Sequence, residues 1–222
     1  MSTTEPISLD PTRTALVNVH WQHDIVTADG AFAPFFAESV QRHGVIGTTR
    51  ELVETFRTAG ALVTWARAAF QPGYPELILN TGLNHAIADL GALIDGSPGA
   101  RIIPELTPAE GEPVVSHPGT SAFPNTALDT ILRRRQIDTV VFTGVATNVT
   151  VEGTARDAVN LGYNVILVSD ACAAATDEAH EATLGTFSLL GKIASAGDIQ
   201  RALLQRQKDG QDVALTEPHA LA

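Results

Sequence analysis

The chain has 222 residues, of which 44% are hydrophobic, and it carries a net charge of −11. This length and apolar content suit a single domain with one substantial core. The excess of carboxylates argues against nucleic acid or an anionic membrane surface as a partner, because a negative surface repels phosphate.

Short apolar runs rich in β-branched residues predict six strands. They span residues 14–20, 61–67, 112–117, 138–144, 164–170 and 192–195. Patterns typical of helices lie between them, at residues 36–58, 124–136, 149–162, 177–190 and 197–207. This alternation predicts right-handed crossovers and a single Rossmann-like α/β/α domain of three layers, with a six-stranded, mainly parallel sheet, over residues 1–206.

Local signals mark several of these boundaries. Asp177 is a plausible N-cap, and Pro124 suits the first turn of a helix because it has no N–H to satisfy. Gly60 and Gly162 follow helical runs, where a left-handed cap is favoured. Residues 207–222 are polar with little periodicity, so we expect a tail that is mobile or contacts another subunit.

Polar side chains follow four of the predicted strands, at the edge where open parallel sheets bind ligands. His20 and His23 follow the first strand, and residues 67–75 follow the second. Residues 117–123 follow the third strand and residues 146–150 follow the fourth. Three of these four strand ends carry a histidine or a hydroxyl, so the site is predicted there.

Five segments, in this order and spacing, resemble one known family. They read ALVNVHWQHD, ARAAFQPGYPE, SHPGTSAF, GVATNVTVEGTARDA and GYNVILVSDACAA. The chain resembles the isochorismatase-like hydrolase superfamily, which includes nicotinamidases, carbamoyl amide hydrolases and isochorismatases, over about residues 13 to 196. The resemblance implies a Rossmann-like sheet flanked by helices, a small-molecule substrate and a homo-oligomer, commonly a dimer or tetramer.

The catalytic positions depart from that family. Members with amidase activity carry an aspartate, a lysine and a cysteine where this chain has His20, His117 and Thr150. A cysteine at a helix N-terminus beside a lysine can be a thiolate, whereas a threonine hydroxyl stays protonated and needs a base. Neutral histidine can supply that base. If the family geometry holds, the two histidines lie close together, and at least one is neutral because two imidazolium ions repel.

Thr150 allows more than one interpretation. A threonine near a helix N-terminus can cap the helix or bind substrate by a hydrogen bond, and it can also attack a substrate covalently once a base assists it. The resemblance further implies that this turn, with a cis peptide before Ala146, forms an oxyanion hole from the amides of Ala146 and Thr150. An oxyanion hole of this kind needs no particular side chain.

Aromatic and amide side chains at the strand ends are predicted to contact the substrate. These residues are Trp21, Phe70, Tyr74, Phe123 and Asn148, and the alternative for each of the four aromatic residues is a place in the core. Asp24 is a candidate to orient His20 or His23, although an aspartate after a strand also caps turns. A cluster of phenylalanines at residues 32–36 is predicted to cover the site or to pack on a partner subunit.

No metal or cofactor is expected. His20 and His23 are three residues apart at a strand end, so their side chains should point to opposite faces. The loop ARAAFQPGYPE lacks the aspartate and histidines that the resemblance would need for a metal. The segment GTFSLLGK has five residues between its glycines, where a phosphate-binding loop has four, and no G-x-G-x-x-G occurs.

The sequence also bears on compartment and on function. The N-terminus lacks a signal-peptide pattern and the single cysteine, Cys172, excludes an intramolecular disulfide, so we expect a cytoplasmic protein.

The leading hypothesis is a cofactor-independent hydrolase of a small, partly apolar amide, carbamate, lactone or enol ether. One of His20 and His117 would act as the general base and the other as the acid. The alternatives are a catalytically silent binding or accessory protein, and a proton-transferring lyase or isomerase.

Overall fold

The computed structural model describes residues 7–205. One sheet contains six strands, which are β1 (Thr14–Val19), β2 (Leu62–Ala68), β3 (Val114–His117), β4 (Thr139–Val145), β5 (Asn164–Ala173) and β6 (Lys192–Ala194). Their order is β3-β2-β1-β4-β5-β6, and every neighbouring pair is parallel. The predicted α/β architecture is therefore confirmed. The predicted tail at 207–222 lies outside the described residues.

Helices surround this sheet. They are α1 (His23–Val26), α2 (Ala33–His43), α3 (Val45–Ala59), α4 (Gly82–Leu90), α5 (Leu128–Arg134), α6 (Glu152–Asn160) and α7 (Asp177–Phe187), followed by α8 over residues 196–205. A 3₁₀ helix spans Pro104–Leu106, and a π-helical turn spans Thr147–Val151. Within residues 7–205 no helix combines the length and apolarity that crossing a membrane requires.

The core lies on both faces of the sheet. Successive side chains of a strand point to opposite faces, so Leu16 packs in one hydrophobic cluster and Val17 in the other. Helices α2, α3 and α8 cover the first cluster, and helices α5, α6 and α7 cover the second. The central strands β1 and β4 are buried on both faces, which explains why they read as continuous apolar runs.

Several helix boundaries differ from the prediction for local reasons. The helix predicted at 36–58 is two helices, because Gly44 adopts a left-handed φ of 63° between them. Pro124 does not start a helix, since Asn125 is left-handed (φ 58°) and α5 begins only at Leu128. Thr176, not Asp177, caps α7, and its hydroxyl accepts a hydrogen bond from the amide of Ala179.

Helix α4 was missing from the sequence-based prediction, although the sequence carries both of its termini. Thr81 caps its N-terminus by accepting a hydrogen bond from the Asn84 amide, and Gly91 ends it in a left-handed conformation. A threonine cap and a glycine ten residues later are a typical helix frame. The capping residues therefore predict this helix, whereas the alternation of strands and helices does not.

The sheet order places a topological switch between β1 and β4, from which neighbouring strands are added in opposite directions. The two strands approach closely where they end: a Cβ added at Gly144 would lie 2.2 Å from the Val19 carbonyl oxygen. Directly after β1, His20 adopts a left-handed φ of 59°, which is uncommon for a residue with a side chain. The close approach at Gly144 and the left-handed turn at His20 therefore restrict the backbone conformation where β1 and β4 end.

Candidate active site

Two histidines meet at the carboxyl edge of the sheet. His20 follows β1 and His117 ends β3, so the pair spans the intervening strand β2, which ends at Ala68. Their Nε2 atoms are 3.1 Å apart, and the rings stack with centroids 4.9 Å apart. Both side chains are buried, with 7% of His20 and 1% of His117 exposed. The structure thus brings together the two histidines that the sequence singled out.

Burial decides the charge of this pair. It lowers the pKa of His20 well below the ordinary value of 6.5, and the proximity of His117 lowers it further. Burial also lowers the pKa of His117 to about 4, against the opposing effect of a backbone hydrogen bond at Gly119. Both rings are therefore neutral near pH 7.

Neutrality fixes the tautomer of each ring. The carbonyl oxygen of Gly119 can only accept a hydrogen bond, so Nδ1 of His117, 3.0 Å away, carries a proton and donates it. Nε2 of neutral His117 then has a free lone pair and accepts a hydrogen bond from Nε2–H of His20. This leaves Nδ1 of His20 unprotonated, and it has no hydrogen-bond partner among the described residues.

The loop that supplies Gly119 is held against helix α6. The amide of Ala122 donates to the Thr154 hydroxyl at 3.1 Å, and the Ser121 hydroxyl donates to Asp157 at 2.6 Å. Gly153 permits this approach, because a Cβ there would lie 2.4 Å from the carbonyl oxygen of Thr120. Helix α6 follows the turn that contains Thr150, so one scaffold positions both parts of the site.

The turn after β4 leaves amide groups available. The peptide between Val145 and Ala146 is cis, as the resemblance implied. The carbonyl of Ala146 accepts hydrogen bonds from the amides of Val149 (3.1 Å) and Val151 (3.2 Å) and none from the amide of Thr150 between them. The amide of Ala146 has no acceptor among the described residues. Preorganised N–H groups of this kind are what an oxyanion requires.

The capping interpretation of Thr150 is wrong. Its hydroxyl forms no capping bond to the π-helical turn or to α6, and its backbone carbonyl instead accepts a hydrogen bond from the Thr154 hydroxyl at 2.6 Å. Thr150 is buried yet lines a cavity. Its hydroxyl is thus available to a bound molecule rather than committed to the helix terminus.

The cavity lies between the carboxyl edge of the sheet and helices α2 and α4, and its volume is about 80 Å³. It is lined by His20, Ile25, Phe32, Phe36, Ala68, Phe70, Leu83, Asn84, Ile87, Leu93, Pro118, Gly119, Thr120, Val145, Ala146, Val149 and Thr150. The lining residues include no aspartate, glutamate, lysine or arginine. Two members of the predicted phenylalanine cluster cover the site, whereas Phe35 is 55% exposed.

The structure corrects four of the five predicted substrate contacts, since only Phe70 lines the cavity. The left-handed turn at His20 ends the alternation of β1, and Trp21 enters the core, where its N–H donates to the Thr143 hydroxyl. Phe123 packs on Tyr163 in the cluster on the other face of the sheet. Asn148 is exposed and does not line the cavity.

Two further predicted residues act behind the cavity wall. The ring of Tyr74 contacts that of Phe70 in a tilted arrangement with centroids 5.7 Å apart, and its hydroxyl donates to the carbonyl of Ala92. The Asp24 carboxylate accepts a hydrogen bond from the Leu93 amide at 2.8 Å and makes none to a histidine, so the predicted role in orienting His20 or His23 is wrong. Nearness to the site in the sequence therefore did not distinguish residues that line the cavity from residues that pack behind its wall.

The other histidines have separate surroundings. His23 lies 3.3 Å from Asp29 and is not paired with His20. His180 of α7 shares a hydrogen bond of 2.9 Å with the Thr147 hydroxyl, on the far side of the π-helical turn. Over residues 7–205 no group of three or more histidine, cysteine, aspartate or glutamate side chains has an arrangement suited to a metal ion.

Comparison with known proteins agrees with this geometry. A model of the isochorismatase domain matches residues 14–198. The chain is 35% identical to the uncharacterized isochorismatase family protein YwoC of Bacillus subtilis, over 84% of this chain and 92% of that protein. It is 32% identical to the ureidoacrylate amidohydrolase RutB of Methylobacterium radiotolerans, over 95% of this chain and 88% of that protein.

Solved structures give the same result. A cysteine hydrolase from Pseudomonas syringae pv. phaseolicola superposes with a TM-score of 0.82 at 25% identity, over 91% of this chain and 99% of that chain. The residues that the family model matches include the strands that carry both histidines and the turn that carries Thr150. The chain belongs to the isochorismatase family.

Proposed function

We propose that the protein is a cofactor-independent hydrolase of small, partly apolar acyl compounds, in which His20 acts as the general base. The carrying observation is that His20 is a neutral histidine on the wall of an apolar cavity, with Nε2 bonded to His117 and Nδ1 without a partner. A general base needs a free lone pair within reach of the proton it removes. Nδ1 is the nitrogen of His20 that has one.

The mechanism follows from the tautomers. Nδ1 of His20 takes a proton from water as the water oxygen attacks the substrate carbonyl carbon. The carbonyl oxygen becomes an oxyanion held by the amides of Ala146 and Thr150. When the carbonyl re-forms, the bond to the leaving group breaks, and protonated His20 returns its proton to that group. His117 accepts the Nε2–H of His20 throughout and keeps the ring oriented.

This assignment separates roles that the sequence left interchangeable. His117 does not line the cavity, and its own proton is donated to Gly119. It is therefore a positioning residue, and His20 both accepts and returns the proton. The lowered pKa of His20 makes it a weak base but makes its conjugate acid a strong proton donor to the leaving group.

Water attack is favoured over covalent attack by Thr150. Attack by Thr150 would form an ester that a second, activated water must then hydrolyse, whereas a water activated by His20 completes the reaction in one displacement. Amides, carbamates and lactones use an oxyanion hole, whereas an enol ether does not, so acyl compounds are the preferred substrates. The amidohydrolase and cysteine hydrolase among the similar proteins support hydrolysis as the reaction type.

A substrate screen in ¹⁸O-labelled water tests the proposal. Small amides, carbamates and lactones are incubated with the wild-type protein and with His20→Ala, and products are identified by mass spectrometry. We expect one ¹⁸O atom in the acid product and a loss of about 10²- to 10⁴-fold in kcat for His20→Ala, the usual contribution of general acid–base catalysis.

Three outcomes would contradict the proposal. Full activity in His20→Ala would remove the histidine mechanism. A product without label would indicate an isomerase or lyase. Thermal stabilisation by compounds of the panel without any product would indicate a binding protein with the same cavity.

A further inference from the structure

The cavity has a composition that predicts which molecules it admits. We propose that the site selects electrically neutral substrates and excludes those that carry a carboxylate. The inference rests on the proposed function for its catalytic readout, while a binding measurement tests it independently. It specifies the substrate class that the general mechanism leaves open.

The first argument is the absence of a counter-charge. None of the lining residues is an arginine or lysine. Arg67, the cation on the neighbouring strand β2, is already engaged: its guanidinium donates to Asp95 at 2.7 Å, to the Ser116 hydroxyl at 3.0 Å and to the Ala100 carbonyl at 3.5 Å. A bound carboxylate would thus be buried without a cationic partner, which is costly.

The second argument is the hydrogen-bonding capacity of the wall. Nδ1 of His20 presents a lone pair, which repels an anion, and Nε2–H of the same ring is occupied by His117. The amides of Ala146 and Thr150 can donate, but the reacting carbonyl oxygen needs them. A second anionic group would then meet only neutral donors, the hydroxyls of Thr120 and Thr150, and no cation.

The third argument is the shape and character of the remaining wall. Phe32, Phe36 and Phe70 lie on it together with aliphatic side chains of α4, and the enclosed volume is about 80 Å³. A short alkyl or acyl group would replace water against these surfaces and gain the hydrophobic free energy of burial. The apolar wall therefore favours the methyl end of a substrate over a charged end.

A matched pair of amides tests the charge selection. Butyramide and succinamate have the same chain length, and a carboxylate in the second replaces the methyl group of the first. Binding is measured by ligand-observed NMR titration, and turnover is measured as ammonia release. We expect butyramide to bind at least about 100-fold more tightly, because an unpaired buried carboxylate loses its hydration without compensation.

A charge introduced into the wall should change this preference. Leu83 lines the cavity from α4 and is 41% exposed, so an arginine there can place its guanidinium at the mouth. We expect Leu83→Arg to shift the preference towards succinamate by at least about tenfold, as expected for a new pairing between guanidinium and carboxylate. The matched control is Leu90→Arg, because Leu90 is 51% exposed on the same helix but does not line the cavity.

The outcomes separate the two proposals. If succinamate binds as tightly as butyramide in the wild-type protein, or if Leu83→Arg and Leu90→Arg behave alike, the charge selection is overturned even where both amides are hydrolysed. If butyramide binds selectively and no amide, ester or lactone is hydrolysed, the hydrolase proposal fails and the charge selection stands.

Discussion

Two concave regions lie along helix α2, and they differ in polarity, in volume and in the partners of their histidines. Phe36 faces the apolar cavity with the buried histidine pair, whereas Ser39 and His43 face a polar crevice. The crevice is larger, about 370 Å³ against about 80 Å³. In the crevice, His43 contacts the exposed carboxylate of Asp177 at 2.9 Å, whereas the buried pair contacts no carboxylate.

The comparison teaches that the surroundings of a histidine, rather than the residue type or the size of the cavity beside it, favour the role of a base that we propose for His20. A carboxylate partner in water gives a screened ion pair of small energetic consequence. Burial without a counter-charge gives a neutral ring with a defined tautomer and one free lone pair. Only the second arrangement has the features of the base that we propose, although the first occupies the larger space.

Acid should destabilise the protein through the buried pair, and this is the largest effect we expect. In the unfolded chain a histidine binds a proton below about pH 6.5, whereas folded His117 does so only near pH 4. The unfolded state therefore binds more protons in this window. Stability is fully present above pH 6.5 and falls towards pH 4, by about 1.4 kcal/mol per pH unit for each such histidine.

Urea unfolding between pH 7 and pH 4 measures this slope. His117→Gln removes one of the two groups, so its free energy of unfolding should change less steeply with pH than that of the wild-type protein. The carboxylates are common to both proteins, so the difference isolates the histidine. Identical slopes would mean that His117 is not a buried neutral group.

Loss of the positioning bond should have the next largest effect. His117→Ala removes the acceptor of the Nε2–H of His20, and we expect a decrease of about 10- to 100-fold in kcat, because a hydrogen bond to a group that becomes charged contributes about 1.5–3 kcal/mol. His117→Gln can accept the same N–H and should recover part of the activity. Equal activity of the two variants, at comparable Tm, would contradict the positioning role.

Changes at Thr150 should be smaller. If Thr150 only contacts water or substrate through its hydroxyl, Thr150→Ala should retain kcat within about tenfold and Thr150→Ser should resemble the wild-type protein. Steady-state kinetics on the best substrate of the screen measures both. Inactivity of the alanine variant with full activity of the serine variant, together with an ester trapped on Thr150, would instead establish covalent attack.

The smallest effect is expected in the polar crevice. His43→Ala removes an exposed contact with Asp177, which Arg42 also contacts at 2.8 Å. Exposed ion pairs contribute little, so kcat should be unchanged and Tm should move by less than about 2 °C. A loss of activity comparable to that of His117→Ala would show that the polar crevice contributes to activity as much as the buried pair does.

The sequence determined the architecture because the signals for it are local. Continuous apolar runs such as the one at residues 138–144 predict strands buried on both faces, and their alternation with helices predicts a parallel sheet. The rule that ligands bind at the carboxyl ends of such strands selected the segments that contain His20, His117 and Thr150, and the family resemblance singled out these three residues. The prediction that the phenylalanines at 32–36 cover the site holds for Phe32 and Phe36 but not for Phe35, which is exposed.

Only the tertiary structure decided the chemistry, because that depends on distances between residues far apart in the chain. The bond between His20 and His117 joins positions 97 residues apart, and the neutrality of the pair comes from burial by elements on every side. Likewise, the directions of Trp21 and Phe123 followed from a left-handed turn and from packing on the opposite face, neither of which has a local signature. Periodicity determines which residues reach the edge of the sheet, while packing determines which of them meet, which lose their charge and which line the cavity.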